Sequence, residues 1–302
     1  MGRFWSLLFL LVPILGVWLI LAPAIDAWPF NGGSFAFPTG HWFPQLVNDE
    51  GEIIDQIFMG IFYLTGPIFI ATGVALFWFM WKYDGDKNSE PVKFSHGSHT
   101  LEVVWSILPA VTLLFLAVYQ MNAWADHKMR RPLDPGADGV LNTTDDPMLP
   151  GPDNQMGTDD DRHVLKPPLA LVTGRQFQWD IRYAGEDRKL FTRDDLFTNT
   201  DLHLPVEEEI VLQIESQDVL HSFFLPNMRV KQDVVPGMTQ YVWFKPNKTG
   251  AYDIVCAELC GWGHYKMRGQ LTIQDRDDFE KWIEELKTEQ TKTSFAKPKV
   301  DE

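Results

Sequence analysis

The residues most able to do chemistry lie in Cys256-Ala-Glu-Leu-Cys260-Gly-Trp-Gly-His264-Tyr-Lys-Met267, which holds the chain's only two cysteines. A second imidazole stands upstream in His221-Ser-Phe-Phe-Leu-Pro226. Thiolate, thioether and imidazole are soft to borderline ligands, a set that favours copper over magnesium, calcium or manganese. Other chemistries fit parts of the pattern. Cys256 and Cys260 could form a disulfide in an extracytoplasmic setting. With His221 and His264 they could hold a tetrahedral structural zinc. The spacings of 4, 4 and 3 also trace one face of a helix. Gly261 and Gly263 speak against the helix, each costing about 1 kcal/mol there. Zinc leaves Met267 idle, and a disulfide leaves both histidines and the methionine idle.

If copper is the metal, one cysteine would serve a single ion, whereas two thiolates four apart can bridge two. Metal-bound cysteines are deprotonated, so the pair would offset much of the charge of two coppers. His221 and His264 would then each terminate one copper. Met267 would be a weak axial ligand, and the Glu258 main-chain carbonyl another.

These residues need a scaffold. From Leu169 onward the pattern is strand-like. Phe177, Trp179, Ile181 and Tyr183 alternate with Gln176, Gln178, Asp180 and Arg182, which predicts a half-buried strand. Ile210, Leu212 and Ile214 alternate likewise, and residues 239–244, 251–256 and 269–273 are short β-rich runs. Many short strands between Pro/Gly turns indicate a sandwich or small barrel. The metal residues fall between two late strands, on a loop at one end. Phe279, Trp282, Ile283 and Leu286 then recur with helical spacing, which predicts a terminal amphipathic helix over 276–289.

Ahead of this domain come three uncharged runs, Phe4–Ile25, Ile57–Trp81 and Val103–Met121, of 22, 25 and 19 residues. About 20 apolar residues span a bilayer core. The first run follows Arg3 and precedes Ala22-Pro-Ala24, which reads as a signal peptide, with an uncleaved extra helix as the alternative. Lys82, Lys87 and Lys93 place the loop between the second and third runs in the cytoplasm, and everything after Met121 outside. The expected location is a bacterial inner membrane with a periplasmic C-terminal domain. Net charge is −15, and residues 126–302 carry 22 basic and 32 acidic side chains. Such a balance argues against nucleic acid, and it fits either a basic partner or solubility alone.

Residues 126–167 form an Asp/Pro/Gly-rich insert with a near repeat: Pro135–Asp146 resembles Pro150–Asp161. Eight aspartates and no basic residue lie between Asp134 and Asp161. Calcium takes about six to eight oxygen ligands, so it is a candidate for this loop, although EF-hand spacing is missing. Aspartates are also ordinary turn formers.

The chain resembles subunit II of the haem–copper oxidases, in the cytochrome c oxidase branch. The resemblance rests on His-Ser-x-x-x-Pro at 221–226 and Cys-x-x-x-Cys-x-x-x-His-x-x-Met at 256–267, and covers about residues 50–125 and 168–287. It implies a membrane-anchored all-β fold: a two-helix transmembrane hairpin, a cupredoxin-like Greek-key β-sandwich and a C-terminal helix. The expected division is 1–25 signal peptide or extra helix, 26–52 exported segment, 53–122 hairpin, 123–167 insert, 168–290 cupredoxin domain and 291–302 disordered tail. The implied role is to take electrons from a c-type cytochrome at a binuclear CuA centre held by His221, Cys256, Glu258, Cys260, His264 and Met267. They would pass to haem in subunit I, where oxygen is reduced to water and protons are pumped. The resemblance also implies a magnesium or manganese ion shared with subunit I through Glu258, a proton path starting at Glu102, and cytochrome docking near Asp218 and Asp233. Each has a plainer reading: Glu102 as an interfacial anchor, Asp218 and Asp233 as solvated turn residues.

One departure concerns how the electron arrives. The family often reads Gln-Trp-x-Trp where this chain has Gln176-Phe177-Gln178-Trp179. Phe177 therefore replaces the usual first tryptophan, and the electron-entry candidates are Phe177 itself, Trp179 and Trp262, with Tyr183 as a further route. His96 and His99 read as solvated or helix-capping. The competing functions are a quinol-oxidase subunit without copper, a nitrous oxide reductase, and a membrane-tethered copper-binding or copper-delivery protein. The cysteines and Met267 tell against the first, and the chain's length and hairpin against the second.

Overall fold

The computed structural model describes residues 2–21, 43–83, 94, 96–136, 141–157 and 161–292. The chain divides into two compact units, residues 1–45 with 53–121, and 46–52 with 122–302.

In the first unit, α1 spans Gly2–Leu21, α2 Gly51–Lys82 and α3 His99–Tyr119. Helices α2 and α3 are long and apolar enough to cross a membrane. Pro13 of α1 lies against Gly73 of α2, where an added Cβ would come within 3.1 Å of the proline ring. Helix α2 starts six residues before the uncharged run, in a polar turn containing Glu52 and Asp55. The Ser98 side chain caps α3 by accepting from Leu101 N, and Glu102 sits in the first turn, where a carboxylate suits the helix dipole. The cleavage-like Ala22-Pro-Ala24, the exported segment through residue 42, Lys87 and Lys93 lie outside the described residues.

The second unit contains a strap, residues 46–52, helix α4 Met121–Lys128 (from Asn122 on) and a two-strand ladder of β1 Met148–Leu149 and β2 Arg162–His163. Ten strands follow: β3 Ala170–Arg175, β4 Gln178–Tyr183, β5 Leu196–Asn199, β6 Asp201–Pro205, β7 Ile210–Ser216, β8 His221–Leu225, β9 Val230–Val234, β10 Gln240–Phe244, β11 Gly250–Cys256 and β12 Arg268–Gln274. They form two five-stranded sheets, in the orders β10-β7-β3-β4-β5 and β6-β12-β11-β8-β9. Pairs β3–β7 and β6–β12 are parallel and the rest antiparallel. In β4 alternate residues face inward. Trp179, Ile181 and Tyr183 of β4 meet Phe223, Ile254, Leu271 and Ile273 from the other sheet in one buried core. Each fully buried side chain of this size contributes about 1.5–3 kcal/mol. Helix α5, Arg276–Lys292, docks Phe279, Trp282, Ile283 and Leu286 on that core, and the Trp282 indole stacks on His203 with centroids 3.9 Å apart. The tail from residue 293 lies outside the described residues.

One expectation needs correction. The strand foreseen over 176–183 begins at Gln178, so Gln176 and Phe177 form the turn between β3 and β4. Strands β5, β6, β8 and β9 lacked a foreseen alternation. The burial of β8 is nearly continuous, so no period of two is written in it.

The motif repeated in the insert also recurs outside it. The β4–β5 loop, Ala184-Gly-Glu-Asp-Arg-Lys-Leu-Phe-Thr-Arg-Asp-Asp195, is a third copy of the motif at 135–146 and 150–161. Their described residues share one turn geometry. The eighth residue of each has a positive φ: Asn142 at 67°, Gly157 at 84° and Phe191 at 67°. Its backbone N–H donates to the last aspartate, Asn142 N to Asp146 Oδ2 (2.6 Å), Gly157 N to Asp161 Oδ2 (2.5 Å) and Phe191 N to Asp195 Oδ2 (2.7 Å). Thr143 and Thr192 donate equivalently to Asp145 and Asp194, at 2.7 Å each. These carboxylates thus serve their own loops as turn acceptors. Residues 137–140 and 158–160 of the copies lie outside the described residues.

Candidate metal centre

The ends of β8, β11 and β12 bring the sulfur and imidazole residues together. Cys256 is the last residue of β11 and pairs with Phe223 of β8, so His221, two residues from Phe223, shares its inward face. Cys256 N donates to Met267 O (3.2 Å) and closes the loop. Within it, a single 3₁₀ turn covers His264–Lys266. The loop is not helical, so the spacing of 4, 4 and 3 is that of a folded-back loop.

The side chains converge. Cys256 Sγ lies 3.9 Å from His221 Nδ1, 3.2 Å from Glu258 O and 3.9 Å from Cys260 Sγ. Cys260 Sγ lies 3.5 Å from His264 Nδ1 and 3.7 Å from Met267 Sδ. All six expected donors are therefore in one cluster, Glu258 through its main chain. Both cysteines are free, their sulfurs about twice the bonded distance of ~2.05 Å apart. Among the described residues, His221, Cys256 and Cys260 form the one group of three or more such side chains whose ligand atoms converge. Burial, with the adjacent Cys256, pushes the Cys260 thiol up to about 11. A buried thiol in this state resists ionising alone, and a bound cation removes that resistance.

A second layer of contacts fixes these donors. His221 is fully buried, and its Nε2 meets Asp218 Oδ1 at 2.8 Å, which turns Nδ1 toward Cys256. Burial alone would raise the Asp218 carboxyl, but hydrogen bonds from Gln176 N, His221 and Val219 N outweigh it and hold it below the ordinary carboxylate value. Gln176 also donates its side-chain amide to Cys260 O. Gly174 leaves room for the His221 ring: a Cβ there would lie 3.0 Å from His221 Cδ2. Gly261 has φ +130°, and a Cβ on it would strike Gln176 Nε2 at 2.6 Å. At Gly263 a Cβ would lie 2.5–2.8 Å from the Phe177 ring. The β3–β4 turn is thus a clasp over the metal loop, and both glycines are needed for it to close. No spacing rule announced Gln176 or Gly174. Asp218-x-x-His221 was the one local hint of the prop.

Two family models match, "Cytochrome C oxidase subunit II, periplasmic domain" over residues 172–273 and "Cytochrome C oxidase subunit II, transmembrane domain" over 41–123. Together they take in more than half the chain, in the order the fold presents. The chain belongs to the cytochrome c oxidase subunit II family. An alternative cytochrome c oxidase subunit 2 of Bradyrhizobium diazoefficiens is 38% identical over 39% of this chain and 50% of its own length. A cytochrome c oxidase subunit 2 of Thermostichus vulcanus is 28% identical over 79% of this chain and 76% of its own. The match therefore spans half the length of the first relative and about three quarters of the second. The crystal structure of the periplasmic domain of subunit II of cytochrome oxidase of Bradyrhizobium japonicum is 28% identical, covering 41% of this chain and 96% of that one, with a TM-score of 0.37.

The other residues expected of a subunit II are placed as follows. Trp179 is fully buried, its ring centroid 6.0 Å from that of His221. Phe177 is half-buried in the clasp, and Trp262 is exposed on the metal loop. Tyr183 is buried, and its hydroxyl donates to His203 O (3.0 Å). Asp233 accepts from Ser222 Oγ at 2.8 Å, next in sequence to His221. Glu102 Oε2 lies 3.9 Å from His99 Nδ1, and the His96 ring packs edge-on against Phe94.

Proposed function

We propose that this chain is the electron-accepting subunit of a cytochrome c oxidase in a bacterial inner membrane, with its β-sandwich in the periplasm. The observation that carries the reading is the convergence of two free buried thiols, two imidazoles, a thioether and a carbonyl on one end of a rigid sandwich. His221, Cys256, Cys260, His264, Met267 and the Glu258 carbonyl would hold two copper ions. A copper pair, when bound, supplies a one-electron redox centre.

The chain's own residues do the rest. Asp218 orients the His221 imidazole and so selects Nδ1 as the metal-facing nitrogen. The Gln176–Phe177 clasp and the core beneath it hold the donors nearly still, which limits reorganisation when an electron arrives. Burial of Cys256, Cys260 and Met267 excludes water from the sulfurs. In this reading a c-type cytochrome delivers electrons and subunit I receives them for oxygen reduction and proton pumping. The Glu258 carboxylate contributes to a magnesium or manganese ion completed by subunit I, and Glu102 opens a proton path into that partner. Calcium in the 134–161 loop draws no support from its described carboxylates, which are engaged as turn acceptors.

Metal analysis and EPR of the purified full chain in its complex test this. Two coppers per chain and a spin shared between them are expected. Cys256→Ser or Cys260→Ser abolishes the shared signal, whereas Met267→Leu keeps both coppers and shifts the potential. Zinc, or one isolated cupric ion, refutes the assignment and favours a copper-binding or copper-delivery protein.

A further inference from the structure

We propose that Glu50 and His127 hold one proton between them and form a pH-sensitive latch that clamps the strap of residues 46–52 to α4. The inference goes beyond the copper reading and does not depend on it.

Glu50 directly precedes α2, and His127 lies in the last turn of α4. Glu50 Oε2 stands 3.8 Å from His127 Nε2, and neither atom has a hydrogen-bond partner although both are shut off from solvent. The His127 side chain is 13% exposed. Its Nδ1 lies 2.7 Å from Ala123 O, and a carbonyl only accepts, so Nδ1 carries the proton of the neutral ring. Nε2 is then a bare lone pair. A carboxylate facing it sets two acceptors against each other in a buried site. One further proton removes the conflict, whether the carboxyl or the imidazole carries it. A shift of about 1 Å then brings the two atoms to hydrogen-bond distance.

The surroundings favour keeping that proton. Burial pushes the Glu50 carboxyl up; His127 opposes this, and the carboxylates of Glu209, Asp126 and Asp49 add to it. Glu209 directly precedes β7, Asp126 lies on α4 and Asp49 on the strap. The cations of the adjoining segments are engaged elsewhere. Arg130 pairs with Asp126 at 2.6 Å and Lys245 with Glu207 at 3.2 Å. Lys128 donates to Lys231 O at 2.8 Å and Arg229 to Pro226 O at 2.6 Å. An imidazolium in the last turn of α4 also suits the negative end of that helix.

In the unfolded chain these two groups keep a proton only up to the ordinary imidazole range, about pH 6.5. The folded pair titrates as a unit and keeps it to higher pH. The folded state then binds more protons than the unfolded one, so stability falls as pH rises above that range. At lower pH the clamp is closed. At higher pH the carboxylate faces a lone pair and three other carboxylates, and the strap loosens. The strap also holds the turn after β8, Val47 N donating to Asn227 O and the Asn48 amide to Met228 O, at 3.0 Å each. In the proposed role this unit faces the side to which protons are released, so acidification there tightens the strap.

Hydrogen–deuterium exchange of the full chain in its complex reads the latch, with each rate divided by the intrinsic exchange rate at that pH. Between about pH 6 and about pH 9 the protection of the strap amides should fall about tenfold, the effect of one unit of displaced titration, while that of β11 stays constant. Glu50→Gln should abolish the pH dependence and keep the protection, because its amide donates to Nε2 at every pH. His127→Phe should abolish the dependence and leave the strap loose throughout. A flat profile in the unaltered chain, or an unchanged slope in Glu50→Gln, overturns the proposal. So does a parallel loss of protection in β11, which marks a global transition rather than a latch. Strap protection that follows added zinc instead of pH also overturns it, since the pair then belongs to a metal site.

Discussion

Asp218 and Gly263 show how much a metal loop depends on residues that bind no metal. Asp218 faces His221 Nε2 at 2.8 Å and also accepts from Gln176 N at 2.7 Å, so one carboxylate sets both the imidazole and the clasp. Removing such a prop costs about tenfold or more in metal affinity. Asp218→Ala should therefore still load copper but yield it to a competing chelator at correspondingly lower concentration, measured by titration against a copper-specific dye. Gly263 is a matter of space. A methyl there meets the Phe177 ring, and overpacking of this kind costs about 1–3 kcal/mol. Gly263→Ala should lower both the thermal midpoint and copper occupancy, and Phe177→Ala in the same chain should restore part of each. Simple addition of the two losses would show that the rings and glycines are not coupled.

Among the elements, the strap of residues 46–52 is the least expected part of the sandwich. It precedes the hydrophobic stretch of α2, yet Val47 and Asn48 are fully buried. Asn48 donates to Met228 O (3.0 Å) and accepts from Lys245 N (3.3 Å), while Val47 exchanges backbone bonds with Asn227 and Asn247. Asn227 and Met228 lie in the turn directly after β8, the strand that carries His221. Asn48→Ala strands these partners, and a buried unsatisfied group costs about 1–3 kcal/mol. Urea unfolding of the full chain, followed by tryptophan fluorescence, should show a loss in that range. An unchanged midpoint would mean that the strap is an ornament. Helix α4 is tied down similarly, through Trp243 Nε1 to Asp126 O and Lys128 Nζ to Lys231 O, both at 2.8 Å.

For the whole molecule the governing quantity is charge. In the proposed role the exported residues 126–302, with 22 basic and 32 acidic side chains, would speed encounter with a cationic donor, and salt screens such a field over about 8 Å at physiological ionic strength. The association rate of a basic cytochrome should fall steeply as salt rises, while the first-order transfer rate in the bound complex stays flat. Stopped-flow kinetics across ionic strengths separates the two, and a salt-independent association rate would remove steering from the account.

The donor types at 221 and 256–267, the two long apolar helices and strands β4, β7, β10, β11 and β12 were legible in the sequence. Ligand chemistry belongs to residue type, and apolar length and alternation are local properties. The choice among disulfide, helix face and metal cluster was not legible from spacing, because all three share it; the fold decided it by keeping the sulfurs 3.9 Å apart in a loop. The third copy of the aspartate turn was present in the sequence at 184–195 but concealed by substitution, and it emerged when three loops made the same hydrogen bond. The Asp218 prop had a local hint in Asp218-x-x-His221, whereas the clasp of Gln176 and Phe177 and the buried strap belong to tertiary structure alone. Each is a contact or an exposure created by segments that meet only after folding, and no one-dimensional periodicity encodes such a meeting.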